Sequence, residues 1–156
     1  MTAAIGQRRR GRAYALQVLY ARDINASVEA DAHLAGVANA FGEELDGVDR
    51  AVVDFAEQLA RRVAEHAARI DDIIGKSSRN WRLERMSRVD RNILRLATCE
   101  LLHFADTPTR VVLNEAVELA KQFGTAESPA FVNGVVDRIA QLVAAEVPAR
   151  AAEPTA

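Results

Sequence analysis

The sequence has 156 residues and a formal net charge of −2, with 27% charged and only 5% aromatic residues. A chain of this length fits one domain and can bury on the order of 70% of the surface that its unfolded form exposes, so a stable monomeric fold is expected. The composition favours a soluble helical protein, and the longest apolar runs are far too short for a membrane-embedded role. No apolar segment of a secretory signal follows the N-terminal arginines, and we expect a cytoplasmic protein.

The charge is distributed unevenly along the chain. Residues 1–24 contain five arginines against one acid, Asp23, a balance of +4 that leaves −6 for the remaining residues. Clustered charge of one sign near a terminus is typical of a segment that binds a polyanion, and nucleic acid is the default candidate. A solvated terminal run is the alternative, because the chain uses arginine freely and has only two lysines. The five arginines are Arg8, Arg9, Arg10, Arg12 and Arg22.

Two helices are predicted in the first third of the chain. The first begins within the arginine cluster, and Gln17 and Tyr20 lie on its flank. Its apolar face is formed by Tyr14, Ala15, Val18 and Leu19. The second helix is predicted over residues 28–41, with Ser27 as its cap and residues 42–47 as the loop that follows.

A long amphipathic helix is predicted from Asp49, because apolar residues recur there at intervals of three and four. We expect a break near Arg69 and an end by Gly75, where glycine favours termination. Residues 77–81 then form a connector.

The next helix is predicted to begin at Ser87, since a serine followed three positions later by Asp90 is a variant of the capping box. Its apolar pattern includes the single cysteine, Cys99, which excludes an intramolecular disulfide and indicates a buried thiol. Thr107 and Pro108 are expected to stop this helix.

The last two helices meet at a sharply marked corner. Gly124 follows the first of them, where a left-handed C-terminal cap favours glycine. Ser128 and Pro129 are expected to begin the second, as N-cap and first helical residue. Residues 147–156 have no periodicity and two prolines, which predicts a disordered tail.

These elements predict an all-α fold of six or seven helices that form one domain over residues 1–146. We expect a first part, from the first helix through Phe41, to pack against a second part built from the helices after Asp49. No segment has the buried apolar runs of a parallel sheet, so sheet-based nucleotide folds are excluded. Gly75, Lys76 and Ser77 imitate a phosphate-binding loop but lack its upstream glycine and strand. His33, His66 and His103 lie on separate predicted helices, and we expect no metal, cofactor or catalytic site.

A second basic series runs from Arg79 to Arg95. Its alternation with Glu84, Asp90 and Glu100 favours a salt-bridged or protein-facing surface over a phosphate track. Asp71 and Asp72 are expected on a charged, solvated helix face. The arginines of this series are Arg79, Arg82, Arg85, Arg88, Arg91 and Arg95.

Three blocks of sequence together resemble the NusB family of bacterial transcription antitermination factors. They are Arg8 to Arg12 leading into Ala15-Leu16-Gln17-Val18-Leu19-Tyr20, then Trp81 to Leu101, and Asn114 to Ile139. The resemblance spans nearly the whole chain, and the third block is its most specific part. It implies the helical fold described above, binding of the boxA element of ribosomal RNA leaders together with NusE, a small-subunit ribosomal protein, and action on the RNA polymerase elongation complex with other Nus factors. No catalysis is implied.

Two kinds of RNA contact are expected. Arg8, Arg9, Arg10 and Arg12 precede or enter the first helical turn, where guanidinium and backbone N–H groups would hold phosphates. Tyr20 and Phe131 are candidates for base stacking, and Phe131 is expected on one continuous surface with Tyr20 and Arg12. Burial in the core is the alternative for both rings. Gln17, Glu127 and Asn133 are candidates for base edges or backbone, and a packing or capping role is the alternative for Asn133. Lys121 is expected to be a phosphate contact or a solvated lysine. By resemblance, Glu127 and Phe131 match RNA-contacting positions of the family.

The chain departs from the family pattern at Gly11, which weakens the start of the first helix by up to ~1 kcal/mol relative to alanine. We therefore expect residues 1–12 to be an arm that orders on RNA. Cys99 stands where the family often has tyrosine. The NusE surface is predicted at Asp90, Arg91 and Arg95.

Two other functions stay open at this point: a helical protein–protein adaptor without RNA binding, and a small RNA-processing enzyme. The adaptor predicts that RNA binding is absent with and without NusE, and the enzyme predicts turnover of bound RNA. The oligomeric state is also open, and a homodimer that hides the arginines would be autoinhibitory.

Overall fold

The computed structural model describes the backbone of residues 2–24, 50–79 and 81–151, and side chains from residue 6 onward. The described residues form helices and turns and contain no strand, which confirms the all-α prediction. They include no helix long and apolar enough to cross a membrane. The predicted helix over residues 28–41 and the loop after it lie outside the described residues. The chain divides into two units, Met1–Glu65 and His66–Ala156, so the helix that begins after Asp49 belongs to the first unit and the predicted division between Phe41 and Asp49 is wrong.

The first unit contains α1, Thr2–Ile24, packed against α2, Arg50–Glu65. α1 begins six residues before Arg8, so the prediction of a helix start within the arginine cluster is wrong. Alanines in the first turn have the highest helix propensity and extend the helix in that direction. The interface buries Ala15, Leu16, Val18 and Leu19 of α1 and Val52, Phe55, Ala56, Leu59, Ala60 and Val63 of α2.

Gly11 lies in the middle of α1 at its closest approach to α2. A Cβ atom at this position would lie 2.8 Å from Cδ1 of Phe55 and 3.2 Å from the carbonyl oxygen of Val52. The missing side chain therefore lets the two helices approach. The sequence indicated only the cost of glycine to helix formation, because the contact that benefits from it comes from a residue 44 positions later.

The second unit is built around one long helix. Its elements are α3, Ala67–Ser77; a 3₁₀ turn, Leu83–Arg85; α4, Arg88–His103; α5, Thr109–Phe123; α6, Ser128–Glu146; and α7, Pro148–Ala151. α6 packs against α3, α4, α5 and α7. Cys99 is a fully buried cysteine in α4, as predicted.

The structure moves the ends predicted for the helix that begins near Asp49. The break falls at His66 rather than near Arg69, and α3 continues through Gly75 to Ser77. Gly75 is tolerated there because it is exposed and its neighbours leave room around it. The hydroxyl of Ser78 donates to the carbonyl of Ile74 at 2.8 Å, and this serine ends the helix instead.

The predicted cap of α4 is confirmed, whereas the predicted caps between α5 and α6 are wrong. Ser87 caps α4 as predicted, since its hydroxyl accepts a hydrogen bond from the Asp90 N–H at 3.1 Å. Gly124 has φ −93° and ψ −167°, so the prediction of a left-handed cap is wrong. A Cβ there would lie 2.5 Å from Cβ of Ser128, so close approach explains this glycine. The N-cap of α6 is Glu127, one residue before the one predicted.

The chain after Val147 is not disordered up to Ala151. Residues 148–151 form α7, and Arg150 is only 4% exposed. Its guanidinium donates to four carbonyls around the C-terminal end of α4, those of Glu100, Leu101, Phe104 and Thr107. The expectation of a disordered tail is therefore wrong for these residues, because a helix end 50 positions earlier supplies acceptors for this arginine.

Candidate nucleic-acid interface

One side of α1 gathers four of the predicted RNA-binding residues. Successive helical residues are rotated by about 100°, which places Arg9, Arg10, Gln17 and Tyr20 within an arc of about 100° opposite the buried face. Arg9, Arg10 and Tyr20 are exposed and Gln17 is half-buried. We call these four residues the α1 stripe. It combines cationic groups, an amide and an aromatic ring over about 16 Å of helix.

Arg8 and Arg12 point elsewhere. Their guanidinium carbons lie 5.2 Å and 5.4 Å from the centre of the Phe55 ring, so both make cation–π contacts with α2. Arg8 is exposed, whereas Arg12 is only 3% exposed. The predicted joint site of arginines and helix-end N–H groups is wrong, because the N-terminus of α1 lies about 9 Å before Arg8. The four arginines thus divide into a packing pair and a solvent-facing pair.

In the second unit, Glu127 and Phe131 occupy one face of α6, since they are four residues apart. Glu127 is exposed, and its side chain makes no capping hydrogen bond. Lys121, near the end of α5, is exposed and forms an ion pair with Glu118 at 3.3 Å. Asn133 is exposed but rotated by about 200° from Phe131, so these two side chains do not share a face.

Phe131 is half-buried and packs edge-to-face against Trp81, with ring centres 6.3 Å apart and planes at 75°. Trp81 lies in the connector after α3 and is 55% exposed. Sequence reasoning did not include Trp81 among the site residues. The signal for it was a large aromatic residue in a polar connector, but only the tertiary contact with Phe131 relates it to the corner before α6.

The predicted partner-binding residues surround the start of α4. Arg95 forms a bidentate ion pair with Asp71 at 2.9 Å and 3.1 Å, which ties α4 to α3. Arg91 donates to the carbonyl of Leu83 at 3.2 Å. Asp90 is half-buried, and its Oδ1 has no hydrogen-bond partner among the described residues. Arg91 and Arg95 therefore have internal roles, and contact of all three with a partner protein stays a prediction.

The residues that imitate a phosphate-binding loop form the last turn of α3. Lys76 pairs with Asp72 at 3.0 Å on the exposed side of that helix. Hydrogen bonding to Asp72, reinforced by its charge, raises the pKa of Lys76. Asp72 thus follows the expected solvated face, whereas Asp71 is engaged by Arg95.

Two of the three histidines come together in the second unit. The ring centres of His66 and His103 lie 4.2 Å apart, with the ring planes at 31°. Their contact was not predicted from the sequence. His33 lies outside the described residues. Within the described ranges no group of three or more His, Cys, Asp or Glu side chains is arranged to hold a metal ion.

Comparison with known proteins identifies the family. The NusB family matches residues 9–141. Transcription antitermination protein NusB of Syntrophotalea carbinolica is 48% identical over 149 residues, covering 88% of this chain and 94% of the relative. The protein of the same description from Myxococcus xanthus is 47% identical over 136 residues, covering 87% and 96%.

Solved structures agree with these relatives. T. maritima NusB superposes with a TM-score of 0.78 at 36% identity, covering 86% of this chain and 90% of that one. A crystal structure of the antitermination factors NusB and NusE in complex with double-stranded RNA gives a TM-score of 0.77 at 27% identity, covering 87% and 97%. The all-α fold is thus the NusB fold, and the chain belongs to the NusB family.

Proposed function

We propose that this chain is a transcription antitermination factor that binds the boxA element of ribosomal RNA leaders together with NusE. The named relatives are antitermination proteins, and one structural neighbour is a complex of NusB with NusE and RNA. The observation that carries the proposal for this chain is the α1 stripe, where two exposed arginines share a helix side with an exposed tyrosine and a glutamine.

The α1 stripe suits single-stranded RNA for physical reasons. Arg9 and Arg10 supply phosphate contacts, which contribute affinity and salt dependence but little sequence choice. Tyr20 offers a ring on which an unpaired base stacks, and Gln17 offers a donor and an acceptor for a base edge. Arg8 contributes from its position over Phe55, whereas buried Arg12 acts through packing.

The corner before α6 supplies the second half of the proposed site. Phe131 presents a partly exposed ring, and Glu127 on the same face can accept hydrogen bonds from base amino and imino groups. Lys121 adds a cation on α5. Asn133 is proposed to contact RNA from a different face of α6 than Phe131. The α1 stripe and this corner belong to different units, and their meeting on one RNA surface stays a prediction.

NusE is proposed to bind the start of α4, where Asp90 is half-buried beside the exposed Arg88. Arg91 and Arg95 are proposed to shape this surface. In this proposal the chain has no catalytic role, and it acts in the cytoplasm with the RNA polymerase elongation complex and other Nus factors. A homodimer stays a prediction for the free protein.

The test is a titration of end-labelled boxA RNA with wild type and Phe131→Ala, with and without NusE, at two salt concentrations. We expect wild type to prefer boxA over a scrambled RNA, and Phe131→Ala to lose about tenfold or more in affinity, since base–aromatic stacking contributes ~1–3 kcal/mol. Phe104→Ala, which truncates another half-buried phenylalanine of the same unit, is the matched control.

Three outcomes separate the candidate functions. A preference for boxA that Phe104→Ala preserves and Phe131→Ala reduces supports the proposal. Absence of any sequence preference at both salts, with and without NusE, would refute it and leave the helical adaptor. Shortening of the labelled RNA during the titration would indicate an RNA-processing enzyme.

A further inference from the structure

The connector between α3 and α4 encloses an open cavity of about 450 Å³. This volume lies within the range of small-ligand pockets in proteins, ~300–1,000 Å³. Trp81 forms an exposed aromatic wall of the cavity. Among the described residues its lining is Gly75, Ser78, Arg79, Trp81, Arg82, Leu83, Glu84 and Arg85, which we call the connector pocket.

The charge of the connector pocket is positive, with three arginines against one glutamate. Arg79, Arg82 and Arg85 are all exposed, and within the described ranges none of their side chains has a carboxylate partner. Of the two surfaces predicted for the basic series, salt-bridged or protein-facing, the first therefore does not apply to these three arginines within the described ranges. Arg95, which does form an ion pair with Asp71, lies on α4 outside the pocket. Three cations around one aromatic ring therefore face solvent together.

Hydrogen bonds to backbone carbonyls of the connector hold this pocket in shape. The Trp81 N–H donates to the Ser78 carbonyl at 3.1 Å, and the Ser78 hydroxyl shares its one proton between the carbonyls of Ile74 and Trp81, at 2.8 Å and 3.0 Å. Arg91 holds the Leu83 carbonyl from the side of α4. Because these bonds restrain the connector, binding a ligand there costs less conformational entropy, which favours affinity.

The pocket adjoins the residue proposed to read a base. The Trp81 ring meets the Phe131 ring edge-to-face, an arrangement that leaves much of Trp81 open to solvent. Aromatic faces stack unpaired bases, and arginine side chains bind phosphate oxygens at short range. Glu84 at the rim can accept a hydrogen bond from a base amino group. An acidic peptide would use the arginines but has no need of the open indole face.

We propose that the connector pocket binds one nucleotide of single-stranded RNA, with its base stacked on Trp81 and its phosphates held by Arg79 and Arg82. This inference rests on the proposed function and extends its RNA site to a pocket beyond Phe131. The bound strand then continues from the Phe131 face into the connector between α3 and α4.

Trp81 is the only tryptophan of the chain, so its fluorescence reports on this pocket and on the Phe131 face beside it. The experiment titrates full-length protein with unlabelled boxA RNA while Trp81 emission is recorded, and measures affinity in parallel by anisotropy of end-labelled RNA. We expect saturable quenching with the same Kd as the anisotropy. Trp81→Leu should weaken binding by about tenfold, whereas Trp81→Phe, which keeps a stacking ring, should stay within about twofold of wild type.

A double variant, Arg79→Ala with Arg82→Ala, should flatten the dependence of log Kd on log salt by about 1.4, for two phosphate contacts to a single strand. Arg62→Ala, an exposed arginine of the first unit, is the charge control and should leave the Trp81 signal unchanged. Thermal melting checks that each variant folds, and 55% exposure of Trp81 predicts little change.

If anisotropy shows boxA binding but Trp81 emission and the affinity of Trp81→Leu are both unchanged, the proposed nucleotide site is wrong while the proposed function stands. Absence of boxA binding by wild type would overturn both. Loss of NusE binding by Trp81→Leu with intact RNA affinity would also overturn the inference, because the pocket would then hold protein.

Discussion

Replacing Arg150 with alanine should destabilise the second unit, because this side chain binds the C-terminal end of α4. The guanidinium lies against the C-terminal turn of α4 and donates to Leu101 at 3.1 Å, Glu100 at 2.9 Å and Phe104 at 2.8 Å, and also to Thr107. The last carbonyls of a helix have no partners within it, and a cation there also interacts favourably with the helix dipole. Arg150 thus satisfies one helix end with a single side chain.

The size of the effect follows from these contacts. Each hydrogen bond to a charged group contributes ~1.5–3 kcal/mol, but the four share one group and do not add. Burial of the charge opposes them, and water reaches the carbonyls again once the side chain is removed. We therefore expect a loss of about 3 kcal/mol, or a fall in melting temperature of roughly 12–24 °C for a unit of this size. Arg150→Lys should recover part of the loss, since an ammonium has three donors and no fork.

Urea unfolding followed by Trp81 fluorescence measures this loss, because the only tryptophan lies in the same unit. Arg138→Ala is the control: Arg138 is exposed and has no side-chain partner within the described ranges, so its removal should change stability by less than about 0.5 kcal/mol. A loss for Arg150→Ala no larger than that of Arg138→Ala would refute the role given to Arg150.

Two further predictions concern the helix corner and the α1 stripe. Gly124→Ala should destabilise the protein by ~1–3 kcal/mol because the new methyl group would collide with Ser128. Gly134→Ala, with open space around it in α6, should stabilise the protein by up to ~1 kcal/mol. Urea unfolding measures both changes in the free energy of unfolding, and changes of the same sign would contradict the role given to Gly124. Replacing Arg9 and Arg10 together with alanine should flatten the dependence of log Kd for boxA on log salt by about 1.4, and an unchanged slope would place the phosphate contacts elsewhere.

The sequence predicted best those features that depend on neighbouring residues. The cap of α4 needs only Ser87 and the Asp90 N–H three positions later, so a local pattern identifies it. The corner at Gly124 was also visible, but its backbone conformation was not, since the reason for glycine is a side chain of the next helix. Arg150 was missed altogether because its acceptors lie about 50 positions away.

The candidate site shows the same division. Arginines 8, 9, 10 and 12 formed one cluster in the sequence, and charge alone could not separate them. Once the helix is known to begin at Thr2, their rotation about its axis assigns Arg9 and Arg10 to the solvent side. The ring of Phe55, 43 residues after Arg12, then accounts for the burial of that side chain. A helix start misplaced by several residues was enough to hide this distinction.

The central position of α6 has a consequence for synthesis. α3, α4 and α5 precede α6 in the chain, and each packs its apolar face against it. Ribosomes deliver the chain from its N-terminus, and domains generally fold as units once their residues have emerged. The second unit therefore cannot fold completely before α6 has been synthesised. Until then the apolar faces of α3, α4 and α5 stay exposed. A nascent chain stalled before residue 128 should accordingly bind holdase chaperones, and release should follow once α6 and Arg150 have left the ribosome.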